Sequence, residues 1–367
     1  MPDREVQVQT KRASNDLLIN VKNTYGFSQG GLTPVEPVLL AALSVLFFFS
    51  FWNGFTDAAN AIATVVATRV LTPIKAVALS AAGNFVGMFF FPTAVAVTMG
   101  EGIIRSSLVT AEILIAALIG GLAWDVLTWW FGLPTSESHV LVGSMVGVGV
   151  AVAGTDAINV PTILSKVVIP MVTSPTIAFI FAFLFTAAVM RLSLKSSPMK
   201  VNRYFSHIQL ASSFFFSVTH GTNDAQKVMG LITAMFITYG YLSTFHVPLW
   251  VAFACHATIS LGTLFGGWRI VHTMAHKITR LRPYQGACAE TAAAVVLATT
   301  AVAGAPVSTT HAISGSIMGV GATRRFTAVR WGVAKSIVVA WILTIPLSAF
   351  FSYITCRFFM LAEIIVH

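Results

Sequence analysis

The sequence predicts an all-α polytopic membrane protein built from two inverted-topology repeats, with broken or re-entrant helices at the midplane. Three observations lead there. Of 367 residues, 56% are hydrophobic and only 10% charged, too few to coat a soluble domain. Apolar runs close to the roughly 20 residues that cross the hydrocarbon core recur along the whole chain. Two polar motifs set inside such runs each occur twice, at nearly one spacing.

In chain order the apolar cores fall at 38–67, 76–99, 111–132, 140–153, 167–190, 208–239, 247–268, 286–303, 312–321 and 333–356. The fourth and ninth are short and follow a proline, so a re-entrant or broken helix is as reasonable there as a full span. Ahead of the first run lies a polar tail, residues 1–35, without the pattern of a signal peptide. Residues 358–367 form the C-terminal tail.

A net charge of +9 on a soluble protein would suggest nucleic acid or an acidic partner. Here the basic residues cluster in short loops between spans, as the positive-inside rule describes. Arg191, Lys195, Lys200 and Arg203 form one cluster, Arg269, Lys277, Arg280 and Arg282 a second, and Arg324, Arg325 and Arg330 a third. One alternation puts all three, with Arg69 and Lys75, in the cytoplasm and both termini outside. The cell membrane and its lipid are therefore expected surroundings, and nucleic acid is not. The basic N-terminal tail argues mildly for the opposite orientation, and the sequence is compatible with a homodimer. Cys255, Cys288 and Cys356 are too scattered for a metal site or a disulfide framework and read as packing residues.

The repeat is visible in two places. Asn53-Gly-Phe-Thr-Asp57-Ala-Ala-Asn60 returns as His220-Gly-Thr-Asn-Asp224-Ala-Gln-Lys227, an offset of 167 residues. Gly132-Leu-Pro-Thr-Ser-Glu-Ser-His139 returns as Gly304-Ala-Pro-Val-Ser-Thr-Thr-His311, an offset of 172. The first repeat is assigned to 36–190, a basic cytoplasmic linker to 191–206 and the second repeat to 207–357. Each half holds five membrane elements, and an odd number inserts the second copy upside down. In such architectures the binding site lies where the repeats meet.

Asp57 and Asp224 carry the first chemistry. A carboxylate at membrane depth costs about 2.5–3.5 kcal/mol on insertion scales, so it needs a partner or a water-filled cavity. A glycine three residues earlier and neighbouring Asn or Thr suggest local unwinding that frees carbonyl oxygens. Carboxylate, amide and carbonyl oxygens suit Na⁺, and a proton could use the same carboxylate. The other reading is a buried ion pair, such as Asp224 with Lys227.

The second motif places hydroxyls at helix starts: Thr135, Ser136 and Ser138 after Pro134, and Ser308, Thr309 and Thr310 after Pro306. Proline in the first turn, free N–H groups and the helix dipole make an anion site. Ordinary N-capping explains either copy alone. Two copies facing each other would hold a tetrahedral oxyanion between neutral donors. Hydroxyls also accept a hydrogen bond from protonated phosphate, which sulfate cannot donate at neutral pH.

Other residues remain open at this level. Glu137 either accepts a proton from the anion or faces an aqueous vestibule. His139 and His311 close the two motifs and suit gating, proton handling or helix packing equally. Asp125 and Glu290 belong to a cation pathway or to buried pairs. His272 and His276 lack further metal ligands and read as surface residues. Gly143, Gly147, Gly315 and Gly319, four apart in each half, read as close helix packing. No Walker loop, zinc motif, nucleophile elbow or dinucleotide fingerprint is present, so neither an enzyme nor a cofactor is expected.

At these motifs the sequence resembles the inorganic phosphate transporter family, often called PiT. His220-Gly-Thr-Asn-Asp-Ala-Gln-Lys-Val-Met-Gly230 is similar to that family's second signature. Gly266-Gly-Trp-Arg-Ile270, Ala289-Glu-Thr-Ala-Ala-Ala294 and Pro306-Val-Ser-Thr-Thr-His311 resemble its later segments, and the likeness extends over about 40–357. The resemblance implies inverted repeats and phosphate uptake with Na⁺ or H⁺. It implies phosphate at Thr135, Ser136, Ser138, Ser308, Thr309 and Thr310, and the cation at Asp57, Asn60, Asn223 and Asp224. Gln226 matches a signature position and serves either ligand. Thr56 stands where the family usually has Asn, and Glu137 where a small hydroxyl residue is common.

The function expected is thus a symporter importing inorganic phosphate with Na⁺ or H⁺ by alternating access. Bringing divalent phosphate in against 100 mV costs about 4.6 kcal/mol, from about 2.3 per charge, and two monovalent cations cancel it. Two Asp motifs lead to an expectation of at least two cations. Symport of sulfate or another tetrahedral oxyanion is the alternative within transport. An anion channel is the alternative outside it, disfavoured because bare midplane carboxylates repel a permeating anion.

Overall fold

The computed structural model describes residues 35–90 and 92–365, and every regular element among them is helical. The first half runs through a long helix α1 (Val35–Ala67), a short pair α2 (Pro73–Val86) and α3 (Ala94–Glu101), α4 (Ala111–Phe131), a short α5 (Glu137–Ala153) and α6 (Val160–Leu192). The second half repeats that order. It has a long α7 (Pro198–Thr238), a pair α8 (Leu249–Phe265) and α9 (Trp268–Lys277), α10 (Pro283–Val302), a short α11 (Thr309–Ala322) and α12 (Trp331–Leu361). Residues 41–367 form one compact unit.

Five of these helices are long and apolar enough to cross a membrane, or up to seven if each bent pair is one span. The ten elements read from the sequence therefore divide differently. The second run is broken between α2 and α3, which meet at 84°, and the seventh between α8 and α9, at 62°. Pro92 lies in the first break and Gly266, at φ +65°, in the second. The short α5 and α11 have 17 and 14 residues. At about 1.5 Å per residue both fall short of a hydrocarbon core of about 30 Å, as their proline-preceded starts suggested. α7 is less apolar than these five because its middle is polar, but those polar residues are buried. It is an interior helix whose apolar content is lowered by the site it carries.

The most apolar windows of α4 and α10 are 61% and 67% buried, against 22% and 33% for α6 and α12. The first two are therefore central, and the last two present Ile177, Ile180, Leu184, Ile342, Leu343 and Ile354 outward as a lipid-facing surface. The linker is shorter than the basic segment 191–206. α6 ends at Leu192, and Ser197 caps α7 by accepting from Lys200 N, so only 193–197 is non-helical. Of the tail expected over 1–35, all but Val35 lies outside the described residues. The C-terminal tail starts later than 358, since α12 continues to Leu361.

The halves interlock reciprocally. α5 packs on α12 and α11 on α6, while α4 packs on α12 and α10 on α6. Glycine makes the close approaches in matched positions. A Cβ on Gly143 or Gly147 would strike the backbone of Ile345 or Ala349 in α12, and one on Gly315 or Gly319 the backbone of Pro175 or Phe179 in α6. Likewise Gly54 of α1 lies against Ile259 of α8, and Gly221 of α7 against Asn84 of α2. The glycines in the Asp motifs thus serve helix contact. α1 and α7 run unbroken through both motifs, which corrects the expectation of unwinding there. A side chain adds a donor to a helical carbonyl there without any unwinding: Asn223 Nδ2 donates to Thr219 O at 3.0 Å.

Candidate functional site

The two Asp motifs and the second hydroxyl motif converge where α1, α7 and the start of α11 meet. Thr309 Oγ1 lies 3.3 Å from Asp57 Oδ2 and 3.4 Å from Asp224 Oδ2, and Thr310 Oγ1 lies 3.4 Å from Asp57 Oδ1. Asn60 Nδ2 donates to Thr310 Oγ1 at 2.9 Å and Thr309 Oγ1 at 3.2 Å. These five residues are 5% exposed or less. The local reason is helix geometry: Asp57 and Asn60 are three residues apart on one face of α1, and Thr309 and Thr310 occupy the first turn of α11.

The two carboxylates have different partners. Asp224 Oδ1 is held by the Lys227 ammonium one turn along α7, and its Oδ2 lies 3.2 Å from His220 Nε2. His220 is oriented by Asn84 of α2, whose Oδ1 is 3.0 Å from its Nδ1. Asn84 in turn donates to Thr263 Oγ1 of α8 at 2.8 Å. Around Asp57 the described side chains offer only neutral hydroxyls as hydrogen-bond partners. Asp57, His220 and Asp224 each turn one ligand atom toward a common point, all within 4.8 Å of one another, a geometry that could hold a cation. Asn60 Oδ1 and Asn223 Oδ1 are buried acceptors that meet no donor among the described residues.

The first hydroxyl motif meets the second end to end. Ser138 Oγ donates to Val307 O at 3.0 Å, just ahead of α11, and the rings of His139 and His311 touch at 4.7 Å between centroids. Ser136 and Ser308 act as N-caps in matched positions, accepting from His139 N at 3.3 Å and His311 N at 3.1 Å. Thr135 Oγ1 is paired with Thr128 Oγ1 at 3.1 Å. Trp341 of α12 clamps the junction, stacking on His311 at 3.8 Å and donating to Pro134 O at 3.1 Å. Both histidines are buried in this seam.

Two candidate residues point elsewhere. Gln226 is fixed to the break between α2 and α3, with Nε2 donating to Pro92 O at 3.0 Å and Oε1 accepting from Val95 N at 3.1 Å. It is the lock of that bend. Asn223 donates to Leu297 O of α10 at 3.2 Å, so only its Oδ1 remains for a ligand.

Glu137 opens α5 and accepts from Thr56 Oγ1 at 2.8 Å, while both carboxyl oxygens of Asp125 in α4 are buried and meet no donor among the described residues. Glu290 is a satisfied junction of three helices. It accepts from Thr64 of α1 at 2.6 Å and from Gln209 and Ser212 of α7 at 3.1 and 2.5 Å. Sequence reasoning left out His220, Asn84 and Trp341. His220 had a signal, since the 167-residue offset sets it opposite Asn53. Asn84 and Trp341 lie in unrepeated stretches and had none.

Comparison with known proteins follows the same lines. The model of the phosphate transporter family matches residues 53–352. A relative described as a probable low-affinity inorganic phosphate transporter, from Rhizobium meliloti (strain 1021), is 49% identical over 86% of this chain and 95% of its own. One so described from Bacillus subtilis (strain 168) is 42% identical over 82% and 91%. Among solved structures, one described as the sodium-dependent phosphate transporter shares the fold with a TM-score of 0.79. It is 24% identical and covers 90% of this chain and 100% of its own.

Proposed function

The chain belongs to the phosphate transporter family, and from that premise we propose that it is a secondary active symporter, importing inorganic phosphate with Na⁺ by alternating access of two inverted halves. The first half comprises α1–α6 and the second α7–α12. The basic loops lie in the cytoplasm.

One observation carries the coupling: Thr309 and Thr310, which open α11 where an oxyanion would bind, direct their hydroxyls to Asp57. A hydroxyl has one proton to donate. While the Asp57 carboxylate takes those protons, the α11 start offers phosphate less. A cation seated at Asp57, with Asn60 Oδ1 as a further oxygen, neutralises the carboxylate and frees both hydroxyls to turn toward phosphate. Each ligand then favours the other's binding, as linkage requires. Ser138, tied to Val307 O, and Thr135, tied to Thr128, supply the facing hydroxyls when phosphate draws the two helix starts together.

Na⁺ is preferred because two of the three convergent ligand atoms are carboxylate oxygens, of Asp57 and Asp224, and because the structural neighbour is described as sodium-dependent. The reciprocal packing of α5 on α12 and α11 on α6 supports rocking of one half against the other, since each half grips a helix of its counterpart. The test is uptake of labelled phosphate into liposomes holding the purified protein, under an inward Na⁺ gradient or an inward proton gradient, with and without excess sulfate. Stimulation by Na⁺ and indifference to sulfate are expected. Uptake that ignores both gradients would end the symport reading.

A further inference from the structure

We propose that Lys227 is a tethered cation filling the Asp224 half of the cation machinery, so that one mobile cation, held at Asp57, travels with each phosphate where two would otherwise be needed. The inference rests on the transport reading above and goes beyond it, by assigning a residue that sets the coupling number.

The repeat supplies the comparison. The offset that superposes Asp57 on Asp224 also superposes Asn60 on Lys227, so the two halves differ in charge one turn after the carboxylate. In the first half Asn60 sends its amide to Thr309 and Thr310, and the hydrogen-bond partners of Asp57 among the described residues are hydroxyls, with no ammonium on it. In the second half the Lys227 ammonium, 0% exposed, rests on Asp224 Oδ1. An ammonium is a monovalent cation of fixed location. Its carboxylate partner is what makes its burial tolerable, so it does not leave readily.

The remaining geometry offers one further set of ligand atoms. Asp224 Oδ2 is approached by His220 Nε2 at 3.2 Å and Thr309 Oγ1 at 3.4 Å. The ligand atoms of Asp57, His220 and Asp224 surround a single point within 4.8 Å of one another. A second mobile cation on Asp224 would sit beside the Lys227 ammonium at membrane depth, where like charges are weakly screened. With one mobile cation, monovalent phosphate crosses without net charge.

The experiment is the cation dependence of initial phosphate uptake in proteoliposomes, read well below half-saturation for whichever of Na⁺ and H⁺ drives the wild-type protein. One mobile cation gives a rate that falls about tenfold for a tenfold drop in cation, and two give about a hundredfold. The wild-type protein is expected to show the tenfold dependence, and Lys227→Asn, which restores the first half's residue, the hundredfold one. Inside-negative potential should then accelerate the variant more than the wild type. A hundredfold dependence in the wild type overturns the proposal, and that measurement decides alone if the variant fails to insert. So does a variant that transports with the tenfold dependence. Absence of phosphate uptake under every gradient would instead remove the transport reading beneath it.

Discussion

Thr56 Oγ1 donates to Glu137 Oε1 across 2.8 Å, joining α1 to the first turn of α5 between residues 81 positions apart. The resemblance to the family marked both positions as departures from its usual residues. The departures form one contact. A donor on α1 matches an acceptor on α5, and both are buried. Thr56→Val leaves the Glu137 carboxyl without its hydroxyl donor and should cost about 1–3 kcal/mol, the penalty for an unpaired buried polar group. Thermal unfolding in detergent should show a lowered midpoint for Thr56→Val and near-recovery for Thr56→Ser.

Asp57 has only hydroxyl partners to lose and Asp224 has an ammonium, so the same substitution should act differently at the two. Asp57→Asn should raise the half-saturating cation concentration at least about tenfold, worth about 1.4 kcal/mol, with little loss of fold. Asp224→Asn strands the buried Lys227 charge and should destabilise by about 3–5 kcal/mol. Paired uptake and unfolding measurements separate these outcomes. Equal loss of stability in both variants would refute the distinction.

Thr309 and Thr310 are the hydroxyls best placed to serve both ligands. Thr309→Val or Thr310→Val should each raise the phosphate KM by about tenfold or more, since a hydrogen bond to a charged group contributes about 1.5–3 kcal/mol. Serine at either position should restore most of it. Thr135→Val, which breaks a pairing with Thr128, should have the smaller effect on KM.

The reciprocal glycine contacts predict matched damage. Gly147→Val in α5 and Gly319→Val in α11 each force a side chain against the backbone of the opposite half, at Ala349 and Phe179. Overpacking of about 1–3 kcal/mol is expected for each, measured as a lowered unfolding midpoint. Effects confined to one of the pair would argue that the halves are not gripped alike.

Much of this protein was legible in its sequence because the information was local or repeated. Hydropathy gave a helical membrane protein, the prolines gave the short α5 and α11, and N-capping by Ser136 and Ser308 was one of the two readings open for those helix starts. The tertiary structure decided what those patterns leave free. Gln226 belongs to a signature motif yet spends its amide on the bend at Pro92 and Val95, and Gly54 and Gly221, which suggested unwinding, instead admit a neighbouring helix. The Asp224–Lys227 pair was one of the readings the sequence offered, being one turn apart on α7, but only the docked helices set the Asn60 amide on Thr309 and Thr310 and left Asp57 to hydroxyl donors. Helix period and residue type fix which face a side chain occupies. Which group from a distant segment meets that face is set by packing between helices far apart in the chain.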